Sequence, residues 1–413
     1  MLTPIANHPT NLPGPREVGP VLLVSPWYRP SIGGVVECVE ILRQILADSG
    51  VETSLLVVEE KTTSFRLQVD PNVPSVWSLQ IPSYFFYSAG LMALLAMLRR
   101  APASIWRVFQ FIRSRKVRTL ILNYPSGYSW VFLLARFFLP IKLVLAYLGN
   151  DLTKYDQQLP PMRWLTRQLL RHADGITVCG EHMLDLAQKL VPDRNLPMRL
   201  LPNCVDVHHF VPPPPDFHRS DERPTILHVS ILAPKKRALD IVHAFAISRL
   251  PAGTRLVMVG EGVDLSAAKE LAMSLGVKDK IDFVGGQKDV RPFFWAADLF
   301  VLASEDEGAP LVLVEAMACG VPWVSTPWGV ARTLPRGECG LAVPLRSPKD
   351  LAAAMSELME DPQRRILMGK RARLIAQTEL SAEAHLERYL KLIHEVETGE
   401  FLKSDESPAR EVG

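Results

Sequence analysis

Two glutamates, Glu307 and Glu315, stand eight residues apart on either side of a Gly308-Ala309-Pro310 turn and an apolar run. The run reads as a helix start and places Glu315 about two turns into it. A helix N-terminus offers free N–H groups and the positive end of a dipole, which suits a phosphate. Carboxylates around it accept hydrogen bonds from sugar hydroxyls. The chemistry suggested is a pocket for a sugar joined to a phosphate. Two more segments supply groups of the same kind. Lys235-Lys236-Arg237 carries positive charge for a departing diphosphate, and Gly33-Gly34 lets backbone amides approach a phosphate with no side chain between.

These segments need a scaffold that brings them together. Pro20–Ser25 reads as a buried strand, followed by the glycine loop, a helix over 35–49 and a strand over 51–58. Further buried strands are expected at 119–122, 142–146 and 175–178. Val211–Pro224 is polar and holds five prolines, so it reads as a linker. A second alternation follows, with strands at 225–229, 255–259, 281–284 and 299–302 and helices between them. Ser347 and Ser381 read as helix caps. The pattern predicts an α/β protein of two Rossmann-like, doubly wound parallel sheets. The expected organisation is a flexible segment 1–18, a first domain 19–211, a linker 212–224, a second domain 225–379, a final helix 380–397 and a disordered tail 398–413. Ligands in such sheets lie at the carboxyl ends of strands. The glycine loop, the lysine segment and the two-glutamate segment all fall at such ends.

The chain has 413 residues, 48% of them apolar and 22% charged, with a net charge of +2. Two cores are the prior at this length. Five scattered cysteines, at 38, 179, 204, 319 and 339, make neither a disulfide framework nor a zinc site. They fit a reducing, cytoplasmic setting. The polar, proline-rich opening has no apolar stretch of the signal-peptide kind. Between Asp70 and Asp151 there is no acidic residue. Arg99, Arg100, Arg107, Arg113, Arg115, Lys116 and Arg118 are interleaved there with aromatic and aliphatic residues. The stretch reads either as an anionic membrane surface site or as core helices with solvated basic faces. Its apolar runs, 84–98 and 128–147, are short or broken and predict no membrane span. No nucleic-acid motif accompanies the charge.

At these residues the chain resembles the retaining glycosyltransferases of family 4, which have the GT-B fold. The resemblance covers most of the chain. It rests on Gly33-Gly34, Gly149-Asn150-Asp151, Pro202-Asn203-Cys204-Val205-Asp206 with Phe210, Lys235-Lys236, Val259-Gly260-Glu261-Gly262 and Phe283-Val284-Gly285. Its strongest part is the two-glutamate segment through Glu315-Ala316-Met317-Ala318-Cys319-Gly320-Val321-Pro322. The resemblance implies transfer of a sugar from a UDP- or GDP-sugar to a hydroxyl of a glycan or lipid-linked acceptor, with retention and with neither metal nor cofactor. It implies that Gly33 and Gly34 approach the donor phosphates and that Lys236 binds the diphosphate. Glu307, Gly308 and Ala309 surround the donor sugar, amides near Leu313 and Val314 hold phosphate, and Glu315 bonds the ribose. Val284 and Gly285 lie in the loop that contacts the base. The last helix crosses back to the first domain.

Two positions depart from the family. Leu148 stands where a histidine is usual before Gly149-Asn150-Asp151, and Ile231 where an arginine is usual. Lys235 or Arg237 supplies the charge in the second case. Asp151 reads equally as a site carboxylate or as a helix cap. Gly260-Glu261-Gly262 is half of a dinucleotide fingerprint, without its third glycine. Two other readings stand beside the transferase: a nucleotide-sugar epimerase of the same fold, and a non-catalytic partner subunit. The setting expected is the cytoplasm, with peripheral attachment to the inner membrane face.

Overall fold

A computed structural model describes residues 14, 17–28, 33–59, 68–69, 75–81, 83, 85–88, 90–192, 194, 196–219 and 221–400. The ends expected to be flexible fall almost wholly outside these residues, as does Tyr84 at the start of the basic region.

The chain forms two sheets. The first holds β1 (Val21–Ser25), β2 (Thr53–Glu59), β3 (Gln68–Val69), β4 (Val76–Gln80), β5 (Thr119–Asn123), β6 (Lys142–Tyr147), β7 (Gly175–Val178) and β8 (Met198–Leu200). Their order is β3-β4-β2-β1-β5-β6-β7-β8, and β3 alone runs antiparallel to its neighbour. The second sheet holds β9 (Thr225–Val229), β10 (Arg255–Val259), β11 (Ile281–Gly285), β12 (Leu299–Leu302), β13 (Trp323–Ser325) and β14 (Gly340–Ala342). Its order is β11-β10-β9-β12-β13-β14, all parallel. Both orders reverse once, between β1 and β5 and between β9 and β12. Those reversals open the crevices where α/β sheets take ligands.

β1 shows why these strands form. All five of its residues are buried, as a strand covered on both faces requires. Leu22 and Val24 pack with Val108 and Phe132 on one side. Val21 and Leu23 pack with Leu42, Leu392 and Ile393 on the other. Leu392 and Ile393 belong to the final helix, Ala382–Thr398, so that helix lies on the first sheet. The Ser381 hydroxyl caps it, accepting from the Ala384 amide at 3.2 Å. Polar contacts fix it further. The buried Glu395 accepts from Arg199 at 2.8 Å, and Glu397 accepts from the Thr119 hydroxyl at 2.7 Å and pairs with Arg118 at 3.2 Å.

Most expected strands occur within a residue or two of their predicted ends. The short strands β3, β4, β8, β13 and β14, at or next to the sheet edges, and the helix Pro362–Glu379 were not anticipated. The proline-rich segment carries no helix or strand among its described residues, but it is not a free tether. Phe217 stacks on Trp295 at 5.3 Å, Trp295 donates to the Val211 carbonyl at 2.8 Å, and Arg219 pairs with Asp298 at 3.2 Å. The segment is thereby laid against the second sheet's helices.

In the basic region the helix Leu91–Ser114 is a single element of 24 residues containing Pro102. Leu91, Met92, Leu95, Leu98 and Trp106 are exposed along it. Among the described residues no helix is long and apolar enough to cross a membrane. The basic residues have separate fates. Arg99, Arg113 and Lys116 are exposed, and Arg100 and Arg107 are half-buried. Arg115 lies over the Trp77 ring at 4.0 Å, while Arg118 is paired with Glu397.

Candidate functional site

The carboxyl ends of the two sheets face each other. Gly34 follows β1, and a Cβ built on it would stand 3.6 Å from Leu311, the first residue of the helix Leu311–Ala318. Gly149 follows β6, Gly180 follows β7, and both approach Gly308. The Asn203 amide donates to the Ala309 carbonyl at 2.6 Å. Gly308 is glycine for a packing reason. A Cβ there would overlap the Cys179 sulfur and lie 2.8 Å from the Leu148 carbonyl oxygen. The turn between the two glutamates is thus the point where the halves touch.

The second sheet's reversal point is built from the loops after β9 and β12. Lys235 and Lys236 sit in a short turn, Pro234–Lys236, in the first loop. Glu305, Asp306 and Glu307 lie in the second. The Glu305 amide donates to the Lys235 carbonyl at 2.7 Å and ties the loops together. Lys236 Nζ then pairs with Glu307 Oε1, both side chains being largely buried. Here the structure brings together two residues 71 positions apart. Their neighbours differ. Lys235 is exposed. Arg237 has a left-handed backbone (φ 54°) and its guanidinium is held by Asp240 at 2.9 and 3.0 Å. Arg237 therefore caps its own helix instead of turning into the crevice. Ile231 is 59% exposed.

Helix Leu311–Ala318 starts without a side-chain cap. The Leu313 amide turns back to the Pro310 carbonyl at 3.1 Å. The side chains of Leu313 and Val314 are buried, and among the described residues the amides of Leu311, Val312 and Val314 have no backbone hydrogen-bond partner, as the first turn of a helix leaves them. Glu315 is the fifth helical residue, just past the first turn instead of two turns in. The helix begins after Pro310, which removes the earlier turn. Glu315 is half-buried, and its carboxylate accepts no hydrogen bond from any described residue. Burial pushes its pKa from 4.5 to about 7, and the like charge of Glu37, from the helix after Gly33-Gly34, adds to the rise.

Asp151 is held differently. Its two oxygens accept the amides of Leu148 (3.1 Å) and Gly149 (2.8 Å), closing its own turn. Burial raises its pKa to about 7, against the lowering effect of those amides. Both oxygens are occupied in shaping the loop that meets Gly308. Val284 and Gly285 end β11 beside a register shift. The Gly286 amide there donates to Glu261 at 3.2 Å. Gly260 and Gly262 are explained by packing, because a Cβ on either would overlap the carbonyl of Ser230 or Leu232.

Several crevice residues carry no sequence signal. His182 follows β7 and stacks on Trp328 across the crevice, with centroids 5.0 Å apart. Both its ring nitrogens are buried without a partner. Burial, then the charge of Arg332, lowers its pKa. His228, under the lysine loop, bonds Val301 O (2.9 Å) and Ser230 Oγ (2.7 Å), and burial lowers its pKa to about 4. Each comes from an ordinary segment and acquires its setting from the tertiary fold.

Residues 214–375 match the family model of glycosyl transferases group 1, and residues 33–204 match that of the glycosyl transferase 4-like domain. The chain is 26% identical over 262 residues to N-acetyl-alpha-D-glucosaminyl L-malate synthase of Bacillus anthracis, covering 62% of this chain and 68% of that protein. It is 32% identical over 233 residues to the GDP-mannose-dependent alpha-(1-6)-phosphatidylinositol monomannoside mannosyltransferase of Mycobacterium tuberculosis. That match spans 52% of this chain and 60% of the mannosyltransferase. Among solved structures, Anabaena HepE in complex with UDP superposes with a TM-score of 0.70 at 18% identity, covering 90% of this chain and 98% of that one. Sucrose-phosphate synthase from Thermosynechococcus elongatus gives 0.71 at 20%, covering 92% and 100%. The architecture is GT-B.

Proposed function

We propose that this chain, which belongs to the group 1 glycosyltransferases with a 4-like first domain, moves a sugar from a nucleotide diphosphate to an acceptor hydroxyl with retention of configuration. The observation that carries the reading is the meeting of four features at one crevice. They are the Lys236–Glu307 pair, the open amides at the start of helix Leu311–Ala318, Glu315 with no partner among the described residues, and the Gly33-Gly34 loop opposite. Lys236, the helix amides and the amides of the glycine loop are cationic or donate hydrogen bonds and suit a diphosphate. The two carboxylates suit the hydroxyls on either side of it, Glu307 toward the sugar and Glu315 toward the ribose.

In this reading Lys236 and the helix amides stabilise the negative charge that grows on the departing diphosphate. Stabilisation of that kind, together with positioning, supplies catalysis without a protein nucleophile. Closure of the first domain through Gly149, Gly180 and Asn203 onto Gly308 and Ala309 brings the acceptor side to the donor. The metal-independent reading follows from the positive charge already present at the crevice. The donor base stays open between uridine and guanosine. The Mycobacterium relative is named for GDP-mannose and the Anabaena structure holds UDP. The organisation of two domains joined near 212–224, and an acceptor of glycan or lipid-linked type, belong to the same proposal. So does peripheral attachment through Arg99, Arg113, Lys116 and the exposed apolar face of Leu91–Ser114.

The test is donor consumption with UDP- and GDP-sugars, with and without candidate acceptors, followed by assignment of the product anomer. A retained anomer with Lys236-dependent turnover supports the reading. Acceptor-free conversion of the sugar to its epimer supports an epimerase instead. Absence of both nucleotide binding and turnover supports a non-catalytic subunit.

A further inference from the structure

The first sheet's reversal point, between β1 and β5, lies on the same crevice and is lined by groups that the donor site does not use. Trp27 follows β1 and Tyr124 follows β5. Their rings meet with centroids 4.7 Å apart and planes at 58°, which makes a corner. The pair stands on the edge of the sheet that faces the second domain. On one side of it is the Gly33-Gly34 loop, and on the other is Gly149 at the end of β6.

The corner is built, not incidental. Trp27 is 43% exposed, yet its backbone is locked. The buried Ser25 hydroxyl donates to the Trp27 carbonyl at 2.8 Å and accepts from the Trp27 amide at 3.3 Å. Tyr124 has a left-handed backbone with φ of 55°, held by its amide donating to Ala146 O at 2.9 Å. A bulky residue in that region is a genuine outlier and costs on the order of 1 kcal/mol or more.

We propose that Trp27 and Tyr124 form a ledge that holds the acceptor as a carbohydrate ring. The inference rests on the transferase reading and narrows its acceptor, glycan or lipid-linked, to a carbohydrate ring held by two named side chains. A pyranose presents C–H groups on one face and hydroxyls around its rim. The electron-rich face of an aromatic ring attracts polarised C–H groups and loses little entropy on binding. A corner of two rings fixes the sugar's tilt as well as its position. The acceptor hydroxyl then points out of the ledge, across the crevice toward Glu307 and Lys236. An acceptor without a ring, such as a small hydroxy acid or a bare lipid chain, finds no complement here.

The experiment is saturation-transfer NMR on the full chain with octyl β-glucopyranoside, octyl α-mannopyranoside and octyl β-galactopyranoside below their micelle concentrations. Saturating UDP or GDP is present throughout. Melting shifts by the same nucleotides are read in parallel. The expected result is saturation of ring protons in at least one glycoside. Trp27→Ala weakens that signal's affinity about tenfold, the size of one lost stacking contact, and Trp27→Phe keeps most of it. Tyr124→Gly loses the ring signal while raising the melting temperature, because the strain is relieved. Nucleotide shifts stay unchanged in all three variants. Saturation confined to the octyl chain, no ring saturation with any probe, or ring saturation indifferent to Trp27→Ala overturns the proposal. If neither nucleotide shifts the wild type, the donor reading fails, and the ring signals still decide the ledge.

Discussion

Glu315 is a half-buried carboxylate with no hydrogen-bond partner among the described residues, so replacing it with glutamine has opposite effects on stability and on ligand binding. Burial and Glu37 raise its pKa from 4.5 to about 7. A rise of that size corresponds to about 3 kcal/mol against the ionised form. Solvent reaching the crevice screens part of it, leaving about 1–2 kcal/mol. The sign follows from which state holds the proton. Between pH 4.5 and about 7 the unfolded chain releases it while the folded chain keeps it, so wild-type stability falls as pH rises through that window. Glu315→Gln removes the titration. At pH 8 the ligand-free variant is expected to melt a few degrees above wild type, at about 2–4 °C per kcal/mol. At pH 5 the difference shrinks to near zero. UDP or GDP binding moves the other way. A charged acceptor for ribose hydroxyls becomes a neutral amide, which costs about tenfold in affinity. The assay is thermal melting of both proteins at pH 5 and pH 8, with and without each nucleotide. Equal melting temperatures at both pH values, or a difference that persists at pH 5, refute the reasoning.

Lys236→Ala is expected to lower donor turnover by about 10²–10³, the size seen when one charge-stabilising donor is removed, and to lower the melting temperature as well, because the largely buried Glu307 loses its cation; initial rates and melting curves check this. Gly308→Ala should hinder closure, because its Cβ would overlap Cys179 and press on Leu148 O, and small-angle scattering with nucleotide should report a larger radius of gyration than wild type. Arg199→Ala leaves the buried Glu395 without its cation and should cost about 3 kcal/mol, with early proteolysis of the final helix; Glu395→Gln in the same chain should restore part of the loss. Charge reversal at Arg99, Arg113 and Lys116 should abolish flotation with anionic liposomes while leaving nucleotide binding intact.

Buried parallel strands were legible because continuous apolar runs bounded by loops have few alternatives. Strands of two or three residues, such as β3 and β8 at the edges of the first sheet, carry too little pattern to separate from loop. Helix Pro362–Glu379 was missed because its apolar and charged residues are spread around the whole circumference: Met368, Ile375 and Ala376 are buried while Ile366 and Leu367 are exposed. The glutamates and lysine of the candidate site were visible as residue types at strand ends. Their pairing was not, since Lys236 meets Glu307 only after β9 and β12 become neighbours. Arg237 looked equivalent to Lys236 in sequence, and a single left-handed residue sends it to Asp240 instead. His182 with Trp328, and Trp27 with Tyr124, are contacts between remote loops that no local spacing announces.

The central claim is that a nucleotide diphosphate binds between Lys236, Glu315 and the Gly33-Gly34 loop. Isothermal titration of UDP and GDP into wild type, Lys236→Ala and Glu315→Ala measures it directly. The account predicts that at least one nucleotide binds wild type and that each substitution weakens that binding tenfold or more. Binding of equal strength in all three proteins would contradict it.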